Sequence, residues 1–414
     1  MLFAVYILAL VALATSEKVT FENYKVFRIV PSTIKQLEVL KHIEDVYKGY
    51  SYWTNPSFVY RPVDLMVAPG QLAAFTELMN LTNTKYEMFI DNVQRLIDGE
   101  MQTTRSESFD WTSYHTLEEI YSWLDSLSVK YPNNVTVVVA GRTYQNRLIK
   151  GVKLSFGPNK SGIFIEGGIH AREWISPATV TYILDQLLHS SEPEIRNLAE
   201  SYDWYLFPSF NPDGYVYTHT TNRLWRKTLS RNSLFCSGTD ANRNWDFKWM
   251  SAGASKNPCA ETYAGRSAFS EVETKSLSAY LQSIKDHLFA YISFHSYSQL
   301  LLFPYGHTSE HLDNYKEAHA IGVATINALA KRYGTKYVTG NIAETIYPAS
   351  GSSMDWVKAT LRLPVSFTYE LRDTGKYGFI LPAEQIIPNG QEILDSLVVM
   401  FTEAKKFGYP KDIE

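Results

Sequence analysis

A polar turn at residues 168–177, Gly-Ile-His-Ala-Arg-Glu-Trp-Ile-Ser-Pro, constrains the fold of this chain more than any other segment. The apolar residues 163–165 before it predict a buried strand, and Ser176 and Pro177 predict the start of a helix over residues 178–188. An imidazole, a guanidinium and a carboxylate therefore lie on a strand-to-helix turn. Ligands bind at that edge in open α/β sheets, so the turn is the first candidate for a functional site.

The side chains of His170 and Glu173 offer a nitrogen and an oxygen three positions apart. A single histidine or glutamate on such a turn is more often a helix cap or a solvated side chain. The pair, with Arg172 between its members, favours a metal site, because both side chains can turn to one point at distances that suit Zn²⁺. A catalytic zinc needs three protein ligands, and His295, at the end of an apolar strand over residues 289–294, is the best third candidate.

His295 taken alone fits a hydrogen-bonded histidine at a strand end better than a metal ligand. Its position at the end of a second strand favours a metal ligand instead, because His170 and Glu173 already supply two of the three ligands. Glu370 ends a further apolar strand and is either a cap for the next turn or a general base beside the metal, which would make the protein a hydrolase. Five other histidines are interpreted as solvated: His189, His287, His307, His311 and His319.

Arginines and amides cluster between these strands in the sequence: Arg223 and Arg226 lie in one segment, and Asn242, Arg243 and Asn244 lie in another. Loop arginines are usually solvated. Several near a metal favour another interpretation, because a guanidinium binds a carboxylate through two hydrogen bonds and also stabilises an oxyanion. An enzyme that holds a free C-terminal carboxylate while it cleaves the adjacent peptide bond needs both functions. Asp240 is a candidate acceptor that would orient one zinc-binding imidazole.

Length, charge and the N-terminal residues narrow the possibilities. A chain of 414 residues allows two domains or one large α/β unit with an appendage. Its net charge of −4 gives no electrostatic reason to expect nucleic-acid binding. Residues 2–14 are apolar, end in Ala12-Leu13-Ala14 and are too short to span a bilayer, which is typical of a secretory signal peptide. We therefore expect a secreted, extracellular protein with no membrane segment, and the alternative is a buried N-terminal strand or anchor.

Secretion also explains the two cysteines, Cys236 and Cys259. Their pairing would close a short loop and stabilise the fold by roughly 3 kcal/mol. Glycosylation sequons at Asn80, Asn134 and Asn159 give weak further support.

Residues 21–100 predict a small α/β sandwich, because short strands and helices alternate along them. Residues 101–108 have no apolar period and are interpreted as a linker, in which Arg105 would be open to a trypsin-like protease. A plain linker without cleavage is the alternative. Together these features indicate a zymogen. The expected boundaries are 1–16 for the signal peptide, 17–105 for the activation propeptide and 106–414 for the large domain.

The large region predicts a single α/β domain with a mixed, mostly parallel central sheet flanked by helices. Thr33 with Gln36, and Thr116 with Glu119, form capping boxes that predict the first helix of each region. Strands are predicted at residues 135–140, 163–165, 205–207, 289–294 and 365–369, and helices at 177–189, 271–284, 311–332 and 382–407.

Six segments of the large region resemble, in order and spacing, the zinc metallocarboxypeptidases of the pancreatic and digestive A/B type. The resemblance covers nearly all of this region. The N-terminal part resembles the activation segment of that family, an open α/β sandwich that shields the active-site cleft. The six segments are 170–174 (HAREW), 222–228 (NRLWRKT), 239–246 (TDANRNWD), 294–299 (FHSYSQ), 345–351 (TIYPASG) and 367–379 (FTYELRDTGKYGF).

The resemblance implies one zinc ion per chain, held by two histidines and a glutamate, a ligand set for which carboxypeptidase A is the standard example. It implies that Glu370 is the general base and that Arg226 polarises the scissile carbonyl and stabilises the oxyanion. The implied metal ligands are His170, Glu173 and His295, and the implied substrate-binding residues are Arg172, Asn242, Arg243, Tyr297, Tyr347 and Met354.

Met354 occupies the position that lies at the floor of the side-chain pocket in this family, apolar in the A type and aspartate in the B type. A methionine offers no partner for a buried guanidinium or ammonium, which predicts preference for large apolar or aromatic C-terminal residues. Asp355 would reverse this prediction if the register were shifted by one residue. The other expected wall residues are uncharged: Gly306, Ile342, Ala349 and Thr368.

The prediction is a secreted zinc carboxypeptidase, monomeric and digestive by family habit. Its partners would be an activating trypsin-like protease and peptides or proteins with a free C-terminal carboxylate. One alternative is a catalytically silent relative that binds peptides, which the complete set of expected catalytic residues disfavours. The other alternative is an enzyme that removes B-type basic residues.

Overall fold

A computed structural model describes residues 18–46, 48–101 and 108–411 of the chain. The expected signal peptide over residues 1–16 and the expected cleavage site at Arg105 lie outside the described residues. Within the described ranges, no helix combines the length and the apolar character that crossing a membrane requires.

The N-terminal region, residues 18–101, is the α/β sandwich that its alternating pattern predicts. Its four strands pair antiparallel in the order β2-β3-β1-β4. One face packs against α1 and α2 through buried side chains such as Phe27 and Phe75, and the other face packs with α3 against the large region. The elements are β1 (Lys25–Val30), α1 (Ile34–Val46), β2 (Tyr50–Tyr52), β3 (Val63–Val67), α2 (Leu72–Leu81), β4 (Lys85–Ile90) and α3 (Val93–Met101).

The large region contains an eight-stranded mixed sheet in the order β11-β10-β12-β9-β7-β8-β6-β5. Its central strands β12, β9, β7 and β8 are mutually parallel, which confirms the predicted fold class. The strands are β5 (Val135–Arg142), β6 (Leu148–Leu154), β7 (Gly162–Gly167), β8 (Asp203–Phe207), β9 (Leu288–Ser296), β10 (Leu300–Phe303), β11 (Val338–Asn341) and β12 (Val365–Leu371).

Helices cover both faces of this sheet, and each face carries its own apolar core. Ile163 and Ile165 of β7 face one core, and Phe164 between them faces the other. The helices are α4 (Leu117–Lys130), α5 (Ile175–His189), α6 (Pro193–Ser201), α7 (Pro212–Thr220), α8 (Val272–Ile284), α9 (Tyr315–Tyr333), α10 (Ile342–Thr345), α11 (Ser353–Trp356) and α12 (Ile386–Lys406).

The helix that follows the polar turn begins earlier than predicted. Helix α5 starts at Ile175, with Trp174 at the N-cap position, so the interpretation of Ser176 as the N-cap is wrong. The hydroxyl of Ser176 instead accepts a hydrogen bond from the backbone N–H of Gly168 (2.9 Å) and donates to the carbonyl of Glu173 (3.0 Å). These two bonds fix the turn that carries His170 to the first turn of the helix.

Candidate active site

The candidate site lies at the edge of the large sheet where three neighbouring parallel strands end. His295 and Glu370 are paired in register on the adjacent strands β9 and β12. His170 follows the end of β7, the neighbour of β9 on its other side. Because parallel strands run in one direction, side chains that follow their carboxyl ends meet at one place.

Three side chains converge on one point at this edge. Nδ1 of His170 lies 2.9 Å from Oε1 of Glu173 and 3.1 Å from Nδ1 of His295, and Nδ1 of His295 lies 3.1 Å from Oε2 of Glu173. Donor atoms around a tetrahedral zinc at 2.0–2.1 Å are separated by about 3.3 Å, so this buried triangle fits a zinc ion. Across the described residues, it is the single group of three that could hold a metal.

Asp240 lies behind His170, as an outer acceptor for a metal-bound imidazole should. Its Oδ1 lies 3.1 Å from Nε2 of His170, while its Oδ2 accepts hydrogen bonds from Nε (3.2 Å) and Nη2 (2.8 Å) of Arg226. Burial opposes the charged form of Asp240, yet Arg226 and His170 hold its pKa well below the usual range. An ionised Asp240 fixes the imidazole so that Nδ1 faces the common point.

Arg226 and Glu370 border the metal triangle from two directions. Nη1 of Arg226 lies 3.8 Å from Oε1 of Glu173, so one end of the guanidinium faces the triangle while the other binds Asp240. Glu370 is half-buried, and burial together with the charge of Glu173 raises its pKa to about 8, against the lowering effect of His295. A carboxyl group beside the metal triangle is in the position that a general base would occupy.

Arg243 presents an unsatisfied guanidinium nitrogen beside this centre. Its Nε donates to the carbonyl of Gly253 and its Nη1 to the carbonyl of Asn242, both at 2.9 Å. Its Nη2 is buried and has no hydrogen-bond partner within the described ranges. The guanidinium carbon lies 5.8 Å from the ring centre of Tyr347. Buried charged donors are costly without an acceptor, so this geometry indicates an anion-binding position.

Met354 and Asp355, adjacent in α11, have different environments. Met354 is 2 % exposed and belongs to the apolar core that also contains Ile342. The carboxylate of Asp355 accepts hydrogen bonds from the backbone N–H groups of Gly306 (2.8 Å) and His307 (3.2 Å) and lies 3.0 Å from Nδ1 of His307. The carboxylate of Asp355 is therefore already bound by the loop that contains Gly306 and His307.

Arg172 and Tyr297 contact the N-terminal region. The Arg172 guanidinium donates to Glu261 (3.3 Å) and to the backbone carbonyl of Tyr52 (3.4 Å). The hydroxyl of Tyr297 donates to Oδ2 of Asp64 (2.7 Å). Both side chains belong to the set expected to bind substrate, so the N-terminal region occupies part of that surface.

The N-terminal region is held over the cleft by polar contacts that the sequence did not predict. Glu100 binds Arg223 through two hydrogen bonds of 2.6 and 2.7 Å, and each side chain is 1 % exposed. Arg28 binds Asp64 and also donates to the backbone carbonyl of Thr374 (2.8 Å). The one signal in the sequence was a charged residue inside an otherwise apolar strand, Asp64 in β3.

The two cysteines form the expected disulfide between Cys236 and Cys259, with their Cα atoms 5.1 Å apart. The two cysteines are 23 positions apart, and the segment between them contains Asp240, Asn242 and Arg243. The bridge therefore restrains the loop that carries three of the site residues.

Comparison with known proteins identifies both regions of the chain. Residues 120–396 match the zinc carboxypeptidase family, and residues 27–100 match the carboxypeptidase activation peptide. The chain is 49 % identical to zinc carboxypeptidase A 1 of Anopheles gambiae over 97 % of this chain and 95 % of the relative. It is 39 % identical to carboxypeptidase A1 of Bos taurus over 93 % of this chain and 95 % of the relative.

Solved structures agree with these sequence matches. Thrombin activatable fibrinolysis inhibitor superposes with a TM-score of 0.86 at 32 % identity, covering 93 % of this chain and 100 % of the other. Carboxypeptidase A from Helicoverpa armigera gives a TM-score of 0.85 at 26 % identity, covering 93 % and 98 %. The chain belongs to the zinc carboxypeptidase family and is a metallocarboxypeptidase of the A type that carries its activation peptide.

Proposed function

We propose that this protein is secreted as a zymogen and that, after cleavage near Arg105, it removes large apolar or aromatic residues from the C-termini of peptides and proteins. The proposed boundaries are 1–16 for the signal peptide, 17–105 for the propeptide and 106–414 for the enzyme. The disulfide supports an oxidising, extracellular compartment. A digestive role and a monomeric state are proposed from the family resemblance alone.

The side-chain preference rests mainly on the environment of Met354 and Asp355. A lysine or arginine side chain entering the pocket would lose its hydration and meet a thioether, which cannot accept a strong hydrogen bond. The nearby carboxylate of Asp355 already accepts from Gly306 and His307. An apolar or aromatic side chain gains by burial instead, at about 25 cal/mol for each Å² of apolar surface removed from water.

The terminal carboxylate of the substrate is the anion that we assign to the free nitrogen of Arg243. Asn242 and Tyr347 lie beside it, as an additional amide donor and an additional hydroxyl donor. Arg172 and Tyr297 would contact residues further from the cleaved bond once the N-terminal region has left. An exopeptidase follows from this arrangement, because a chain without a terminal carboxylate would leave the buried guanidinium unpaired.

The chemical roles follow from the positions around the metal triangle. His170, Glu173 and His295 would hold a zinc ion, which would supply the Lewis acidity needed to polarise a carbonyl and acidify a water molecule. Glu370 accepts the proton of the attacking water and passes it to the leaving amine. Arg226, held by Asp240, directs its Nη1 towards the same space and stabilises the developing oxyanion.

Latency follows from occupation of the cleft by the N-terminal region. Asp64 accepts a hydrogen bond from the hydroxyl of Tyr297, and the backbone carbonyl of Tyr52 accepts one from the guanidinium of Arg172. A peptide cannot use the same donors while these contacts persist. A trypsin-like protease that cuts near Arg105 would leave the propeptide bound by noncovalent contacts alone, and its dissociation would open the cleft.

The decisive experiment compares release of C-terminal Phe and C-terminal Arg from otherwise identical peptides by the trypsin-treated protein, with zinc measured on the same sample. We expect one zinc per chain and release of Phe roughly tenfold faster or more. Met354→Asp should shift the preference towards Arg. Faster release of Arg by the unaltered enzyme would refute the pocket assignment, and an uncut precursor as active as the cut enzyme would refute the latency proposal.

A further inference from the structure

A second buried carboxylate, Glu166 of β7, lies beneath the site and has no role in the ligand set. It is fully buried. Its Oε1 accepts hydrogen bonds from the hydroxyls of Ser293 (2.5 Å) and Tyr291 (3.2 Å) of β9, and its Oε2 has no partner among the described residues. Such a group is expensive to bury, so its presence calls for a function.

The hydroxyl of Tyr291 connects Glu166 to the substrate side of the sheet. The side chain of Ser353, the residue that precedes Met354 in α11, also faces this hydroxyl and opposes the rise in the pKa of Tyr291 that burial causes. The backbone N–H of Ser353 donates to Oδ1 of Asn242 at 3.0 Å. A series of neighbouring groups therefore runs from Glu166 through Tyr291 and Ser353 to the amide of Asn242.

The direction of these bonds determines which end of Asn242 faces the cleft. With its oxygen bound to Ser353, the amide holds its Nδ2 on the other side, 3.4 Å from Nε2 of His295. An asparagine turned by 180° would present an oxygen to a substrate carboxylate and repel it. The path from Glu166 also fixes the first turn of α11, and with it the pocket floor at Met354.

We propose that Glu166 and Tyr291 are positioning residues for recognition of the C-terminal residue. Glu166 orients the Tyr291 hydroxyl, Tyr291 anchors Ser353, and Ser353 sets both the donor end of Asn242 and the height of the pocket floor. This inference rests on the proposed function, in which Asn242 and Arg243 bind the terminal carboxylate. It assigns binding of that residue, and not the chemical step, to a network behind the pocket.

Tyr291→Phe tests the proposal, because it removes one hydroxyl and leaves the ring in the core. In the processed enzyme, KM for a blocked peptide ending in Phe should rise roughly fivefold, while kcat stays within about twofold. Binding of 3-phenylpropanoate, which offers a ring and a carboxylate, should weaken by the same factor in calorimetry. Inhibition by acetohydroxamate, a metal chelator without a carboxylate, should not change.

Tyr369→Phe is the matched control. Tyr369 is equally buried on the neighbouring strand β12, and its hydroxyl bonds to Ser396 at 2.8 Å. Both variants lose one buried hydroxyl, so a general loss of stability would affect both. We expect KM and 3-phenylpropanoate affinity to change in Tyr291→Phe alone.

Two variants of Glu166 complete the test. Glu166→Gln keeps an oxygen that accepts from both hydroxyls and should retain the wild-type KM, whereas Glu166→Leu should raise KM as Tyr291→Phe does. Unchanged KM and unchanged 3-phenylpropanoate affinity in Tyr291→Phe would overturn the inference. A zinc-loaded wild-type protein that releases no amino acid would overturn the proposed function, and the calorimetric comparison would still decide on the positioning role.

Discussion

Arg223 and Arg226 lie three positions apart on one loop and serve opposite regions of the molecule. Arg226 binds Asp240, so its charge stays within the catalytic region. Arg223 binds Glu100, so its charge is neutralised by the N-terminal region. Both pairs are buried, but only the first lies wholly within the catalytic region. The comparison shows that the ion pair at the catalytic centre uses residues of the large region alone, whereas the ion pair at the interface also needs a residue of the N-terminal region.

Replacement of Glu370 by Gln should have the largest effect and should be confined to the catalytic region. A glutamine cannot accept the proton of the attacking water, so kcat of the processed enzyme should fall by roughly 10²–10⁴. Zinc content, measured by mass spectrometry, should stay at one per chain because Glu370 is outside the ligand triangle. Glu344→Gln, an exposed carboxylate on α10, is the control and should leave kcat unchanged. A fully active Glu370→Gln enzyme would require another base.

Arg226→Ala should have the next largest effect on the processed enzyme. Loss of an oxyanion donor costs about 3 kcal/mol of transition-state stabilisation, or roughly 10²-fold in kcat. The variant also leaves the buried carboxylate of Asp240 without the guanidinium that pairs with it, so thermal unfolding should be measured in parallel. Arg226→Lys keeps the charge near Asp240 and separates the two effects. Turnover close to wild type in Arg226→Ala would mean that the carbonyl is polarised elsewhere.

Glu100→Gln should affect the precursor and leave the processed enzyme unchanged. The substitution leaves Arg223 buried without a negative partner, which weakens docking of the N-terminal region by about 3 kcal/mol. We expect the low end of the usual range, because Arg223 also donates to the backbone carbonyls of Arg172 and Phe379. The uncut variant should hydrolyse peptides measurably faster than the uncut wild type.

Glu77→Gln provides the control for this experiment, since Glu77 is exposed on α2 of the same region. It should leave the activity of the precursor unchanged. If the uncut Glu100→Gln variant is no more active than the uncut wild type, the pair with Arg223 does not hold the N-terminal region over the cleft.

The same comparison explains how much could be predicted from sequence. The capping boxes are local patterns, and both are present: Thr116 with Glu119, and Thr33 with Gln36, whose backbone N–H groups and side chains exchange hydrogen bonds of 3.2 Å. The metal triangle followed from positions at the ends of predicted strands. Each of these depends on spacing within a short segment or on the direction of parallel strands.

Contacts between the regions lacked such a signal. Glu100 and Arg223 are 123 positions apart, and no period or motif relates them. Strands β6, β10 and β11 were also missed, because β6 is interrupted by lysines and a glycine and the other two are four residues long. The N-cap at Ser176 was wrong because its hydroxyl serves the preceding turn. Tertiary contacts decide these features.

Glu273 offers the smallest test, because it is a buried carboxylate that forms no ion pair with any residue in the described ranges. Its Oε1 accepts from the backbone N–H of Tyr144 at 2.9 Å, and its Oε2 has no partner in the described part of the chain. Burial raises the pKa of Glu273 from 4.5 to about 7. Burial raises the pKa of Glu100 as well, but Arg223 opposes that rise, whereas Glu273 lacks such a cation among the described residues and is stable in the fold mainly in its protonated form.

The sign of the resulting pH dependence follows from proton linkage. Between pH 4.5 and pH 7 the folded enzyme retains a proton on Glu273 that the unfolded chain has released, so the free energy of unfolding falls as pH rises through this interval. Glu273→Gln removes that contribution, which is about 3 kcal/mol for a shift of this size. In urea unfolding of the processed enzyme, the variant should therefore gain stability relative to wild type between pH 5 and pH 8, whereas Glu384→Gln, at an exposed position, should follow the wild-type curve. Parallel curves for Glu273→Gln and wild type would mean that Glu273 is ionised in the fold, and burial without a cation would then not distinguish it from Glu100.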